Sequence, residues 1–175
     1  GPSYYLGTGI QLDGTGSGVT IVGNTIGLNA NGAPVLGCVR GIVSVNYFQG
    51  PVLDVVIGGT SSGLGNEIAG QDQEGIVVAN TYPAVRIQGN SLHDNDGLGI
   101  DLVTSGFLYG VTPNDALDTD AGPNALQNFP TLLAADADGG AVHISGSLAS
   151  APSRAFTIEF FANATCHASG YGEGA

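Results

Sequence analysis

Val85-Arg86-Ile87-Gln88-Gly89-Asn90-Ser91-Leu92 holds two short strands and the corner between them. Val85 and Ile87 alternate with polar neighbours, the period-two pattern of a half-buried strand. Gly89-Asn90 then supplies the two residue types that best tolerate a left-handed backbone, as a sharp corner requires. The same phrase stands earlier as Val19-Thr20-Ile21-Val22-Gly23-Asn24-Thr25-Ile26. It stands once more in broken form, as Val55-Val56-Ile57-Gly58-Gly59 resumed at Asn66-Glu67-Ile68.

A third piece precedes each of these phrases and follows the last. It reads Gly9-Ile10-Gln11-Leu12, Gly41-Ile42-Val43-Ser44-Val45, Gly75-Ile76-Val77-Val78 and Gly99-Ile100-Asp101-Leu102. The Gly-Ile steps are 32, 34 and 24 residues apart. A coil of three strands and three corners needs little more than the shortest interval. The longer two therefore carry excursions, at Leu28–Pro34 and Gly58–Gly65, both turn-rich and too polar for a core. The repeat predicts an all-β chain, a right-handed parallel β-helix of about three to four coils. Ile and Val should stack inward as a column, and the corner asparagines should bond in a ladder of amides.

Composition agrees. The 175 residues suit about one domain. Thirty glycines beside 42% hydrophobic residues exclude disorder, and the glycines lack a collagen period. There is no lysine; Arg40, Arg86 and Arg154 face 15 acidic residues, for a net charge of −12. Such a surface repels nucleic acid and anionic membrane. Calcium, neutral glycans or a basic protein suit it better. No apolar run is long enough to span a membrane as a helix. The start, Gly1-Pro2-Ser3-Tyr4-Tyr5, lacks the regions of a signal peptide, but mature chains lose these, so the cytoplasm is not implied. The end, Gly170-Tyr171-Gly172-Glu173-Gly174-Ala175, has no closing strand, and the chain is expected to be a piece of a longer one. Cys38 and Cys166 are too few for a framework. They are read as free thiols, with a bridge from the coils to the C-terminal segment as the alternative.

The pattern Ile-x-Gly-Asn-x-Ile, with Gly-Ile at the next strand, resembles the right-handed parallel β-helix repeat of pectate-lyase-like proteins. The run Gly97-Leu98-Gly99-Ile100-Asp101-Leu102, followed by Gly110–Asp115 and Asp118–Pro130, is similar to a block ending such helices in large bacterial surface or secreted proteins of unassigned function. The resemblance covers nearly the whole chain. It implies a fold and an extracellular or cell-surface setting, and names no reaction.

Past Pro130 the pattern changes. Ala141–Leu148 and Ala155–Ala162 read as two longer alternating strands, paired antiparallel around a turn at Pro152 and Ser153. This predicts a C-terminal hairpin or partial sandwich that caps the last coil. The expected divisions are coils over 1–112, an acidic linking loop over 113–130 and a β-rich cap over 131–175.

Asp118-x-Asp120-x-Gly122-x-Asn124, with Asp115 before it, sets oxygen ligands at alternate positions around a glycine turn, which suits Ca²⁺. Phe129 stands where an EF-hand would carry glutamate, so the loop is not one. The plainer reading is a solvated loop of Asx turns. Arg86, His93, Asp94, Asp96 and Asp101 form a weak catalytic set, since a pectate-lyase-type site needs carboxylates for calcium and a base beside them. The plainer reading pairs Arg86 with Glu67 or Glu74 one coil away. The paired aspartates, Gly-His-Gly and Arg-x-Lys of β-helix polygalacturonases are missing, as is an Asp-Pro-His-Asp run. Tyr47, Phe48 and Tyr82, with Tyr4 and Tyr5, could stack on sugar faces, or simply anchor core and loops. His143 and His167 stand alone, without metal-ligand spacing.

These readings favour a non-catalytic extracellular module, a rigid scaffold or a carbohydrate- or surface-binding face of a larger protein. The alternative is a polysaccharide lyase or glycosidase. A glycan or cell-surface component is the expected partner, without nucleic acid or membrane insertion. End-to-end or side-by-side self-association is a further expectation.

Overall fold

The computed structural model describes residues 7–35, 38–45, 52–79, 85–104 and 108–175. Among them are fourteen strands: β1 (Thr8–Leu12), β2 (Gly16–Ser17), β3 (Thr20–Ile21), β4 (Thr25–Ile26), β5 (Arg40–Ser44), β6 (Val52–Leu53), β7 (Val56–Gly58), β8 (Glu67–Ala69), β9 (Ile76–Ala79), β10 (Arg86–Gln88), β11 (Ser91–His93), β12 (Ile100–Val103), β13 (Thr131–Asp138) and β14 (Ala141–Ser147). Among the same residues one 3-10 turn, η1, spans Pro123–Leu126. The chain is all-β.

Three parallel sheets hold ten of these strands, in the orders β1-β5-β9-β12, β10-β7-β3 and β11-β8-β4. The backbone visits the three sheets in turn and returns to the first three times. Registers follow the repeat residue by residue. Ile10, Ile42, Ile76 and Ile100 stack in the first sheet. Ile21, Ile57 and Ile87 stack in the second, and Ile26, Ile68 and Leu92 in the third. The middle members Ile42, Ile57, Ile68 and Ile76 are wholly buried. Each contributes about 1.5–3 kcal/mol by leaving water.

Close stacking explains the glycine before Ile10, Ile42 and Ile76, where an added Cβ would strike the carbonyl of the next coil. A Cβ on Gly41 would lie 2.5 Å from the Gly75 carbonyl oxygen of the next coil and would also strike Ile68. The corner glycine has a different reason. Gly89 turns with φ 61°, in the left-handed region. Asn24, Asn66 and Asn90 then bond coil to coil, the amide of Asn24 donating to Asn66 Oδ1 at 2.9 Å and that of Asn66 to Asn90 Oδ1 at 2.8 Å. The expected ladder is present.

The first sheet departs from the half-buried expectation, because β5 and β9 are buried on both faces. Val43, Val45, Val77, Ala79 and Val103 form a second apolar cluster from the residues alternate to the core column. Near-continuous apolar runs such as Ile76-Val77-Val78-Ala79 are what such strands require.

The C-terminal hairpin forms from different partners than its sequence suggested. β14 pairs antiparallel with β13, not with residues 155–162, which lie outside any strand. The turn is Gly139-Gly140, with φ 57° and 85°. Two consecutive left-handed residues match the twist of a two-residue hairpin, which Pro152-Ser153 cannot do. Every residue of β13 and β14 is exposed.

Residues 159–174 instead lie across the last coil. The Glu159 carboxylate accepts from Gly89 N–H at 3.0 and 3.1 Å. The Gly174 carbonyl accepts from Leu92 N–H at 2.6 Å, and Glu173 accepts from Asn95. The tail thus supplies acceptors that a further coil would supply to β11 and to the corner after β10.

Candidate functional site

The acidic loop is built by asparagines. Asn128, 2% exposed, donates its amide to the carbonyls of Asp115 at 2.8 Å and Ala149 at 2.7 Å. Its own N–H goes to Asp118 Oδ1 at 2.9 Å, and Asp115 N–H returns to Asn128 Oδ1 at 3.0 Å. Ser150 Oγ donates to Asp118 Oδ2. These bonds draw Asp115, Asp118 and Asp120 together, with one carboxylate oxygen from each within 4.8 Å of the others. Asp115 Oδ1 and Asp120 Oδ1 are buried without a hydrogen-bond partner. Partial burial and the charges of Asp115 and Asp118 push the Asp120 carboxyl above its ordinary value. Three such groups could hold a metal ion.

Asn124 does not join them. Its side chain brackets the main chain of Val85, accepting from its N–H at 2.7 Å and donating to its carbonyl at 2.9 Å. That pins η1 to the corner before β10.

The weak catalytic set is dispersed. His93 Nδ1 lies 2.8 Å from Asp94 Oδ2, and Nε2 lies 3.6 Å from Glu67 on the coil below. The Asp94 hydrogen bond, then its charge and Glu67, raise the His93 pKa against the opposing effect of burial. Asp94 and Asp96 point into solvent. Arg86 is exposed on β10 and makes no ion pair with Glu67 or Glu74, contrary to the plainer expectation. Glu74 is already taken by Arg40, Nε to Oε2 at 2.7 Å, with both side chains 11% exposed. Arg40 also lies over the Tyr109 ring, 4.3 Å from its centroid.

Asp101 belongs with that pair. It is 2% exposed, and Oδ2 accepts from Gly110 N–H at 2.8 Å. Burial first, then the nearby Glu74 charge, raises its pKa to about 6, against the Gly110 hydrogen bond and Arg40. The sequence carried a signal for the Arg40–Glu74 pair. Both stand immediately before a Gly-Ile step, and so at equivalent places on successive coils.

A cavity of about 1090 Å³ lies between the last coil and the C-terminal residues. Ile87, Leu98, Ile100, Leu126, Phe129 and Phe156 give it an apolar wall, and Arg86 and Arg154 also line it. Tyr4, Tyr5, Tyr47, Phe48 and Tyr82 fall outside the described residues. Cys38 and Cys166 are free thiols, the second of them exposed. Among the described residues no helix is long and apolar enough to cross a membrane. No family model, curated protein or solved structure matches the chain.

Proposed function

We propose that the chain is a right-handed parallel β-helix of the pectate-lyase-like kind, serving as a non-catalytic extracellular module, a rigid scaffold or glycan- and surface-contacting face of a larger protein. One observation carries the non-catalytic part of this reading. Among the described residues, the candidate acid and base groups do not converge: Arg86 stands exposed, His93 is held by two carboxylates, and Asp101 is buried beneath Gly110. Rigidity follows from the stacked isoleucine rows and the amide ladder, which tie each coil to the next. A charge of −12 without lysine favours neutral glycan or a basic surface over nucleic acid.

Calcium at Asp115, Asp118 and Asp120 is part of the proposal. Two buried, unpartnered carboxylate oxygens in a mutually repelling trio are what a hard cation satisfies, with main-chain carbonyls and water completing its six to eight ligands.

The alternative, a polysaccharide lyase or glycosidase, draws on Arg86 and Asp101 lining the same cavity. A panel of acidic and neutral glycans separates the two readings. Saturable glycan binding without unsaturated products or new reducing ends supports the module. Turnover that is lost in Asp101→Asn or Arg86→Gln, with folding intact, would sink it.

A further inference from the structure

The last coil ends in three strand edges, because β10, β11 and β12 each close their sheet. The tail covers β11, through Gly174 on Leu92, and bonds the corners that follow β10 and β11, through Glu159 on Gly89 and Glu173 on Asn95. β12 is different. In the coils below, the isoleucine N–H of each Gly-Ile step crosses to the next coil, Ile42 to the Gly75 carbonyl and Ile76 to that of Gly99, both at 2.9 Å. Ile100 is next in that row, so its main chain and that of Leu102 face the place of a further coil. Among the described residues nothing pairs with them there. The 1090 Å³ cavity lies against this edge.

We infer that the β12 edge is a docking site for an extended strand of a partner protein, with apolar side chains at alternate positions and a single carboxylate. Three features choose this occupant. Unpaired main-chain donors and acceptors require a peptide backbone, which an aliphatic or sugar ligand would not supply in register. The apolar wall of Ile87, Leu98, Ile100 and Phe129 suits every second side chain. Among the described residues Arg86 and Arg154 make no ion pair, and both line this one cavity. The carboxylates on the same wall, Asp101, Glu159 and Glu173, already accept from Gly110, Gly89 and Asn95. The overall charge of −12 opposes an acidic run, so the partner carries one carboxylate, not many.

The test uses the full chain and an end-blocked, fluorescent eight-residue peptide that alternates valine and threonine around one glutamate. Saturable anisotropy is expected, with new hydrogen-exchange protection at the Ile100 and Leu102 amides. N-methylation at alternate peptide positions should abolish binding. Arg86→Gln with Arg154→Gln, both at exposed positions, should weaken it roughly tenfold without moving the melting midpoint. Absence of binding to folded protein overturns the inference. So does equal binding of the N-methylated peptide, which would mean apolar adsorption alone. Concentration-dependent sedimentation that the peptide cannot reverse also overturns it, by giving the edge to a second copy of the chain.

Discussion

Glu173 stands to Asn95 as Asn95 stands to Gln71. Asn95 Oδ1 accepts from the Gln71 N–H at 3.1 Å, and the Glu173 carboxylate accepts from the Asn95 N–H at 3.3 Å and from its side-chain amide at 2.7 Å. A carboxylate from 78 residues away thus continues a hydrogen-bond row that would otherwise end in buried donors. Asn95 is only 2% exposed, so those donors have no ready access to water.

Glu173→Ala should therefore destabilise the chain by about 1–3 kcal/mol, the usual cost of orphaning buried polar groups. Glu173→Gln keeps an acceptor oxygen and should lose less than half as much. Urea midpoints at constant slope measure both. Equal losses in the two variants would assign the effect to packing of the tail and not to the acceptor.

Asn66 is the busiest rung of the other ladder, 1% exposed, with its amide on Ile21 O and Asn90 Oδ1 and its oxygen receiving the Asn24 amide. Asn66→Ala should cost about 2–4 kcal/mol, since several partners lose their bonds at once. Asn66→Asp is the sharper variant. Its carboxylate would face the Ile21 carbonyl and the Asn90 amide oxygen, two acceptors, so the loss should deepen as pH rises past the carboxylate range. Thermal melts of this variant across pH, compared with wild type, would expose that dependence.

Calcium should raise the melting midpoint at neutral pH, because an ion bound only by the folded state stabilises it by mass action. Asp120→Asn separates site from side effect. It removes one charge from a repelling trio, so the ion-free chain should gain stability while its response to millimolar calcium disappears. A wild-type midpoint that ignores both calcium and chelator would eliminate the proposed ion.

The coils were legible because a parallel stack repeats the same demand at the same place. Ile10, Ile42, Ile76 and Ile100 occupy equivalent positions, and so do Asn24, Asn66 and Asn90. The hairpin's partners are hidden in the sequence because residues 155–162 alternate well, whereas Leu132-Leu133-Ala134-Ala135-Asp136 has little strand signal. What forms β13 is the Gly139-Gly140 turn, a local constraint stronger than side-chain pattern. Asp115, Asp118 and Asp120 were visible as a cluster, but Asn124 was not visible as a clamp on Val85, 39 residues away. Glu173 and Glu159 carry no repeat and no motif. Their role comes only from where the chain folds back.

Asp101 gives the last and most quantitative expectation. Its carboxyl is raised from 3.8 to about 6 in the folded chain, so between those values the folded state holds a proton that the unfolded state has released. Stability must then fall as pH rises from about 4 to about 6 and level off above that window. A shift of this size corresponds to at most about 3 kcal/mol, and solvent screening leaves roughly 1–2 kcal/mol. Asp101→Asn keeps an oxygen for the Gly110 N–H and turns an amide toward Glu74, so it should match wild type near pH 4 and exceed it above pH 7. The difference between their denaturation midpoints, followed from pH 4 to pH 8, should open upward through the window. His93 acts with the same sign at higher pH: its pKa is raised from 6.5, so it adds stability that is present at low pH and fades as pH rises through its folded value. Both groups thus favour the acid side, and His93→Gln in the Asp101→Asn background isolates the carboxyl's share. A midpoint difference that stays flat with pH would mean that Asp101 is ionised in the folded chain throughout, and that the Gly110 hydrogen bond and Arg40 together outweigh burial there.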